Sequence, residues 1–422
     1  MIDFQILDGP GGIPIYFQHV PVKSVSVYWL VFVGSADDES VGNHGIYHWF
    51  EHIPSRGTVK YPGGYRDTEA RLVRHGGSAG AETDYNHTAY YADVPKRVWK
   101  QALDILTDMI AQPLLRPEDI EAEREIIGQE IDEWHSSPYG EALCTLPRLI
   151  WPGHPLGHDQ LGSPETLMSM TPDMLRVAHE KGYSRSRCVL FVAGDLEPAE
   201  VADAVGIATE NLSASPLPER RQPASYGAVP AWQGGKSTIH PTRHEDSAIF
   251  LLFPIDKSKT TATEIVFWDC LEYLITAGDL GSPLDRFVRE DSRLAYSPDF
   301  ASCVTMDGGY WGLQAQTNCK DPQQVIDCFW DVLQSEELRS HEWFEFVQDT
   351  IRGEFDMQIP NPGDFTEEAA EQLTGYGEVW SEEVERKRML SVTRDDLNDY
   401  LQSLTRDDAH TIVFQGDRNS SS

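Results

Sequence analysis

The sequence predicts an α+β chain of two similar domains, each a mainly antiparallel sheet covered by helices. Three observations predict this. First, 422 residues exceed one ordinary core and suit two domains of about 200 residues. Second, short segments recur at a fixed offset of 222 residues. Thr171-Pro172-Asp173-Met174-Leu175 returns as Thr393-Arg394-Asp395-Asp396-Leu397, and Phe191-Val192-Ala193-Gly194-Asp195 as Val413-Phe414-Gln415-Gly416-Asp417. A shared offset marks internal duplication. Third, an apolar, β-rich run stands near the start of each half, residues 25–33 ending at Gly34 and residues 248–253 ending at Pro254.

The elements follow in order. Residues 1–215 form the first domain. Its strand at 25–33 is rich in Val, Tyr, Trp and Phe. Residues 98–112 and 117–134 read as helices. The second of these has a proline at its start, acids in its first turns and no internal proline. Residues 216–235 are rich in Pro, Gly and Ala and read as a linker. Residues 236–422 form the second domain, with a strand at 248–253 and a helix at 263–276. Strands and helices segregate enough for α+β layering.

The first domain carries a chemical motif, His48-Trp49-Phe50-Glu51-His52. On a helix, positions 48, 51 and 52 share a face. Two neutral imidazoles four residues apart hold one zinc, and the carboxylate beside them reaches a water on that metal. H-x-x-E-H is the inverse of the commoner H-E-x-x-H. The bland alternative is a helix with two surface histidines and a solvated glutamate. A zinc site needs a further ligand, and Glu130 is the candidate. Glu123 lies seven residues before it on the same predicted helix. Two turns take about 7.2 residues, so both carboxylates project from one face. One binds metal and the other supports it. A solvated acidic helix face is the bland counterpart. His44, His87 and His135 fall near these motifs and read as surface or core histidines.

Gly45 to His52 followed by Arg56-Gly57-Thr58, and Glu123-Arg124-Glu125-Ile126-Ile127-Gly128-Gln129-Glu130, resemble the zinc helix and second helix of the pitrilysin/insulinase metallopeptidases. Gly76-Gly77, Ala81, Thr83 and Thr88-Ala89-Tyr90-Tyr91 resemble the strands between them. His154-Pro155-Leu156-Gly157 and Leu161 to Thr166 resemble a later segment. The similarity runs over nearly the whole chain. Its length suits the two-domain branch that includes the mitochondrial processing peptidase.

The resemblance implies one zinc per chain on His48, His52 and Glu130. It implies Glu51 as general base and then general acid, with Glu123 as supporting carboxylate. It makes the second domain a degenerate copy without H-x-x-E-H. Arg289 there would hold substrate backbone and Tyr296 would donate to the carbonyl oxygen, where charge develops. Gly80 and Ala81 would lie on an edge strand that pairs with extended peptide. The chain departs from the family at three places. Gly80 stands where asparagine is usual, Pro54-Ser55 follow the zinc helix, and Arg293 replaces the usual glycine before Leu294.

The net charge of -34, from 68 acidic against 34 basic residues, argues against nucleic-acid or anionic-membrane partners. A solvated acidic surface explains it more simply than attraction of basic peptides. No apolar run spans a membrane, and the start, Met1-Ile2-Asp3-Phe4-Gln5, has no secretory pattern. Six cysteines without a Cys-x-x-Cys pair read as reduced thiols in a cytoplasm.

The expected function is therefore a zinc endopeptidase acting on unfolded peptides. Both signatures lie on one chain, which favours a homodimer with complementing halves over a heterodimer. The alternatives are a dedicated maturation protease for a leader or precursor peptide, and a non-catalytic structural or peptide-binding subunit.

Overall fold

The structure is a computed structural model that describes residues 3–214, 222, 224–242, 244–255, 265–277 and 281–416. It divides into two compact units. The first comprises residues 1–132, 147–226 and 359–381, and the second comprises residues 133–146, 227–358 and 382–422.

The first unit holds a six-stranded sheet. Its strands are β1 (Gln5–Asp8), β2 (Pro14–His19), β3 (Ser24–Val31), β4 (Ser78–Thr83), β5 (Thr88–Pro95) and β6 (Cys188–Gly194), in the spatial order β1-β2-β6-β3-β5-β4. Only β2 and β6 pair in parallel. The zinc-motif helix is α1 (Ile46–His52), and α2 (Trp99–Ala111) and α3 (Pro117–Trp134) follow. Side chains alternate between the faces of a strand. Val25, Val27, Trp29 and Val31 of β3 accordingly enter a core with Leu103, Leu106 and Met109 of α2. The Trp29 indole N–H donates to the Thr107 hydroxyl at 3.1 Å, which satisfies a polar atom in that core.

Tyr28, Leu30 and Phe32 face the other way. Their partners come from far along the chain: Ala369, Ala370 and Leu373 of α4 (Pro362–Tyr376). Both faces of β3 are therefore covered, which explains why the run reads as continuously apolar. Ser26 and Thr366 add a hydroxyl contact of 2.8 Å beneath this helix.

The second unit repeats the plan. Its strands are β7 (Lys236–Pro241), β8 (Ser247–Ile255), β9 (Ser297–Val304), β10 (Gly309–Thr317) and β11 (His410–Gln415), in the order β7-β11-β8-β10-β9. This matches β2-β6-β3-β5-β4, including one parallel pair, β7 with β11. Ile249, Leu251 and Phe253 of β8 meet Val325, Phe329 and Val332 from a helix at Pro322–Gln334. On the opposite face Tyr139 stacks on Phe250, with ring centroids 6.1 Å apart, and donates its hydroxyl to Gln314 at 3.2 Å.

The recurring segments occupy equivalent places. Thr171 and Thr393 each cap a helix, accepting from the N–H groups of Met174 and Asp396. The apolar pentapeptides fall on β6 and β11; Asp417 lies outside the described residues. Residues 216–221 and 223 of the linker, and residues 263 and 264, lie outside them as well. The boundaries 1–215 and 236–422 carry no sign that residues 359–381 belong with the first sheet and 133–146 with the second.

Helix α4 brings carboxylates together. Burial, reinforced by Glu367, Glu82, Glu368 and Asp84, pushes the Glu371 carboxyl from its ordinary 4.5 up to about 7. Burial and then Glu82, Asp364 and Asp93 also raise Glu367. A carboxyl with a raised folded pKa holds a proton that the unfolded chain releases. Its contribution is complete below the unfolded value and fades as pH climbs toward the folded value. Thermal stability is therefore expected to fall between about pH 4.5 and 7 from this cluster. Glu371 is partly open to solvent, so the loss in Tm is a few degrees, and added salt shrinks it. Melting curves at several pH values, wild type against Glu371→Gln, check this. A fall of equal size in both proteins rules out Glu371 as its source.

Candidate metal centre

Helix α1 begins at Gly45, whose φ of +82° belongs to the left-handed region. A Cβ there would also meet the Leu161 carbonyl oxygen at 2.7 Å, so the position requires glycine. The first turn of α1 is held by Asp38, which is fully buried. Its carboxylate accepts from Gly45 N–H at 2.6 Å and Tyr47 N–H at 3.3 Å. His158 lies 3.4 Å from the same carboxylate and points to the Ser35 carbonyl at 2.8 Å. Ile46, Trp49 and Phe50 enter the core. His48, Glu51 and His52 are left on one side. Ile53–Arg56 form a 3₁₀ turn containing Pro54, so the α-helix stops at His52 as the proline predicts.

Helix α3 buries Ile120, Glu123, Ile127 and Ile131 as one stripe. Arg124 anchors it, with its guanidinium 4.9 Å from the Trp49 ring and hydrogen-bonded to the carbonyls of Leu167 and Met170.

The two helices bring three ligand residues together. His48 Nε2 and His52 Nε2 are 3.4 Å apart. Glu130 Oε1 is 3.6 Å from His48 Nε2, and Glu130 Oε2 is 3.5 Å from His52 Nε2. Zinc–ligand bonds of about 2.0–2.2 Å on a tetrahedron place ligand atoms about 3.3–3.6 Å apart. The triangle has the spacing of a three-ligand zinc site. Two ring nitrogens aimed at each other and at a carboxylate also form a poor set without a cation to share.

The other ring nitrogen of His52, Nδ1, lies 3.3 Å from Glu123 Oε2. Glu123 thus orients the imidazole, as a supporting carboxylate does. It is completely buried. Its Oε1 accepts from the Arg56 guanidinium and from the Tyr65 hydroxyl at 3.2 Å. Burial raises the Glu123 carboxyl, but hydrogen bonds from His52 and Arg56 outweigh it and leave the pKa below the ordinary value. His48 acts first on Glu130 and holds it low too. Burial pulls His52 down, but Glu123, Glu51 and Glu130 together raise it. The imidazoles and Arg56 thus hold Glu123 and Glu130 in their charged forms, and the carboxylates in turn raise His52.

Glu51 is half-buried beside the triangle. Burial raises its carboxyl, while His48, His52 and the Thr83 hydroxyl pull it back. The result is a carboxylate whose proton affinity exceeds the ordinary, which suits a proton acceptor.

Strand β4 lies at the sheet edge and packs against α1. It carries Gly80 and Ala81. A Cβ on Gly80 would sit 2.8 Å from the Tyr91 hydroxyl. Tyr91 in turn stacks on Tyr28 at 5.4 Å. The neighbouring aromatic therefore takes the space an asparagine side chain would need.

Arg289 and Tyr296 belong to the second unit. Arg289 sits in a π-helical turn at Arg286–Asp291 and pairs with Asp285 at 2.9 Å. Tyr296 is 84% exposed. Both line one pocket.

Sequence reasoning missed Asp38, Tyr65 and the role of Arg56. Arg56 entered only through the Arg56-Gly57-Thr58 motif. The His44 ring lies 4.3 Å from that of His158, tilted by 45°, which places it in the support of α1. Asp38, His44 and His158 bring ligand-type atoms within 4.8 Å of one another, but the hydrogen bonds above already occupy Asp38 and His158. His87 is buried, contacts Asn86 Oδ1 at 2.8 Å, and has its pKa lowered by burial.

Comparison with known proteins agrees with this geometry. Residues 15–162 match the insulinase domain of peptidase family M16, and residues 169–338 match the peptidase M16 inactive domain. The chain belongs to the M16 peptidase family. An uncharacterized zinc protease of Streptomyces coelicolor is 28% identical over 330 residues, covering 75% of this chain and 68% of that protein. The mitochondrial-processing peptidase subunit beta of Saccharomyces cerevisiae is 26% identical over 326 residues, covering 74% of this chain and 68% of that subunit. For an uncharacterized zinc protease of Mycobacterium leprae the figures are 27%, 71% and 66%. The match thus spans about two thirds of these relatives' length. Among solved structures, a Helicobacter pylori protease superposes with a TM-score of 0.88 at 17% identity, over 98% of this chain and 100% of that one. Pitrilysin superposes at 0.73 and 20%, over 98% of this chain and 45% of its own. These likenesses establish the M16 fold. No helix among the described residues is long and apolar enough to cross a membrane.

Proposed function

We propose that this M16 protein is a zinc endopeptidase that cleaves unfolded peptides held as an extended strand along β4. The observation that carries the reading is the triangle of His48, His52 and Glu130 at 3.4–3.6 Å with Glu51 beside it. His48, His52 and Glu130 would hold one zinc per chain. Bound there, zinc lowers the pKa of a coordinated water to about 7 and polarises the scissile carbonyl.

The chain's own groups do the rest. The Glu51 carboxylate takes the proton of the attacking water and returns it to the leaving nitrogen. Glu123 keeps His52 turned so that Nε2 faces the metal position. The backbone of Gly80 and Ala81 pairs with the peptide, which selects extended chain over folded protein. Arg289 holds substrate backbone, and the Tyr296 hydroxyl donates to the carbonyl oxygen. A second copy of this chain completes a closed chamber as a homodimer in the cytoplasm.

The test measures zinc content and cleavage of a mixed set of unstructured peptides, before and after chelation. About one zinc per chain, cleavage lost on chelation and restored by zinc, is the expected result. A zinc-loaded protein that cuts none of the peptides overturns the reading in favour of a binding or structural subunit.

A further inference from the structure

The second unit contains a pocket of about 520 Å³ that Arg289 and Tyr296 share with Arg293, Asp246, Gln316 and Asn318. Arg293 stands out on three counts. Its φ of +54° is the only positive value at a non-glycine position among the described residues. An L-residue with a long side chain resists that conformation. Its backbone is nonetheless fixed on both sides. Ser292 N–H donates to Phe287 O at 3.2 Å and Leu294 N–H to Val288 O at 2.9 Å. The Thr317 hydroxyl donates to Leu294 O. Strain that the surroundings hold in place is a mark of a working position.

The second count is charge. Arg289 is neutralised by Asp285 at 2.9 Å. Arg293 is exposed and forms no ion pair among the described residues, not even with Asp246 on the same pocket wall. A guanidinium in that state is notable in a chain with twice as many acidic as basic residues.

The third count is place. The left-handed residue follows the π-helical turn that carries Arg289, and Tyr296 stands three residues on, just before edge strand β9. Arg293 therefore enters the same pocket as the two groups assigned to substrate. The side-chain amides of Gln316 and Asn318 offer further donors beside it.

We propose that Arg293 makes this pocket a carboxylate-binding subsite, which selects peptides that place an acidic side chain or a C-terminal carboxylate there. The proposal rests on the peptidase reading for its setting. A planar guanidinium matches a carboxylate with two parallel hydrogen bonds.

The test compares kcat/KM for C-terminally amidated peptides in which Glu, Gln or Lys is moved through each position, and for one peptide as free acid and as amide. Wild type is set against Arg293→Gly, Arg293→Asn and Arg293→Lys. Glycine and asparagine tolerate the left-handed backbone, and melting curves confirm that these variants stay folded. Wild type is expected to prefer Glu over Gln at one position, or free acid over amide, by about 10-fold. Arg293→Gly and Arg293→Asn abolish that preference, and Arg293→Lys keeps part of it. Which pair responds tells side chain from C-terminus. Equal ratios in wild type and variants overturn the proposal. If wild type cleaves nothing, the peptidase reading fails by itself. Fluorescence anisotropy of the same labelled peptides then decides the subsite: a Glu or free-acid preference in affinity that Arg293→Gly removes supports it, and an unchanged affinity ratio overturns it.

Discussion

Exchanging Glu51 for Gln is expected to lower kcat by about 10²–10⁴-fold with zinc content unchanged. Glutamine has nearly the same shape and leaves His48, His52 and Glu130 in place. None of their contacts at 3.4–3.6 Å is made through Glu51. What is lost is the proton acceptor. The amide cannot take a proton from water, nor return one to the leaving nitrogen. In the proposed reading the peptide pairs with β4 through backbone groups, so KM is expected to change little. Zinc analysis and steady-state kinetics on one cleaved peptide separate the effects. A variant that loses zinc makes Glu51 a structural support of the site. A variant that keeps both zinc and full activity removes Glu51 from the mechanism and moves the proton acceptor elsewhere.

Much of this site was legible in the sequence because its geometry is local. His48 and His52 are one turn apart on α1, and Glu123 and Glu130 two turns apart on α3. Helical periodicity alone puts each pair on one face. The duplication was legible too, because Thr171 and Thr393 do the same capping work in equivalent places. What stayed hidden depends on contacts between distant segments. Asp38 reads as one acid among many, yet it is the buried acceptor for the first turn of α1. Residues 359–381 read as part of the second half, but Ala369 and Leu373 fill the outer face of the first sheet. Gly80 reads as a lost side-chain contact, and only the position of Tyr91 shows what fills the space. Arg293 reads as a substitution in a motif, and its positive φ is a property of backbone that no residue spacing reveals.

The second large effect is expected from Arg56→Met. Glu123 is completely buried, and its charge is balanced by Arg56 on one oxygen and by His52 on the other, with Tyr65 as a further donor. The Arg56 guanidinium also lies 5.2 Å from the Tyr65 ring. Methionine preserves much of the packing and deletes the charge. A buried carboxylate without its cation costs about 3–5 kcal/mol. Glu123 then binds a proton more readily, because one of the two partners that hold its pKa down against burial is gone. A protonated Glu123 no longer holds His52 Nδ1 as a firm acceptor does, so zinc affinity falls by about 10–100-fold. Denaturation of the zinc-free protein reads the first effect, and competition with a chromogenic chelator reads the second. The double variant Arg56→Met/Glu123→Leu distinguishes the causes. Replacing both members of a buried pair by apolar groups restores stability, but nothing then orients His52 and zinc binding stays weak. If the double variant binds zinc as tightly as wild type, Glu123 does not support the metal site. If Arg56→Met alone costs neither stability nor zinc affinity, Tyr65 and His52 are sufficient partners for the buried carboxylate.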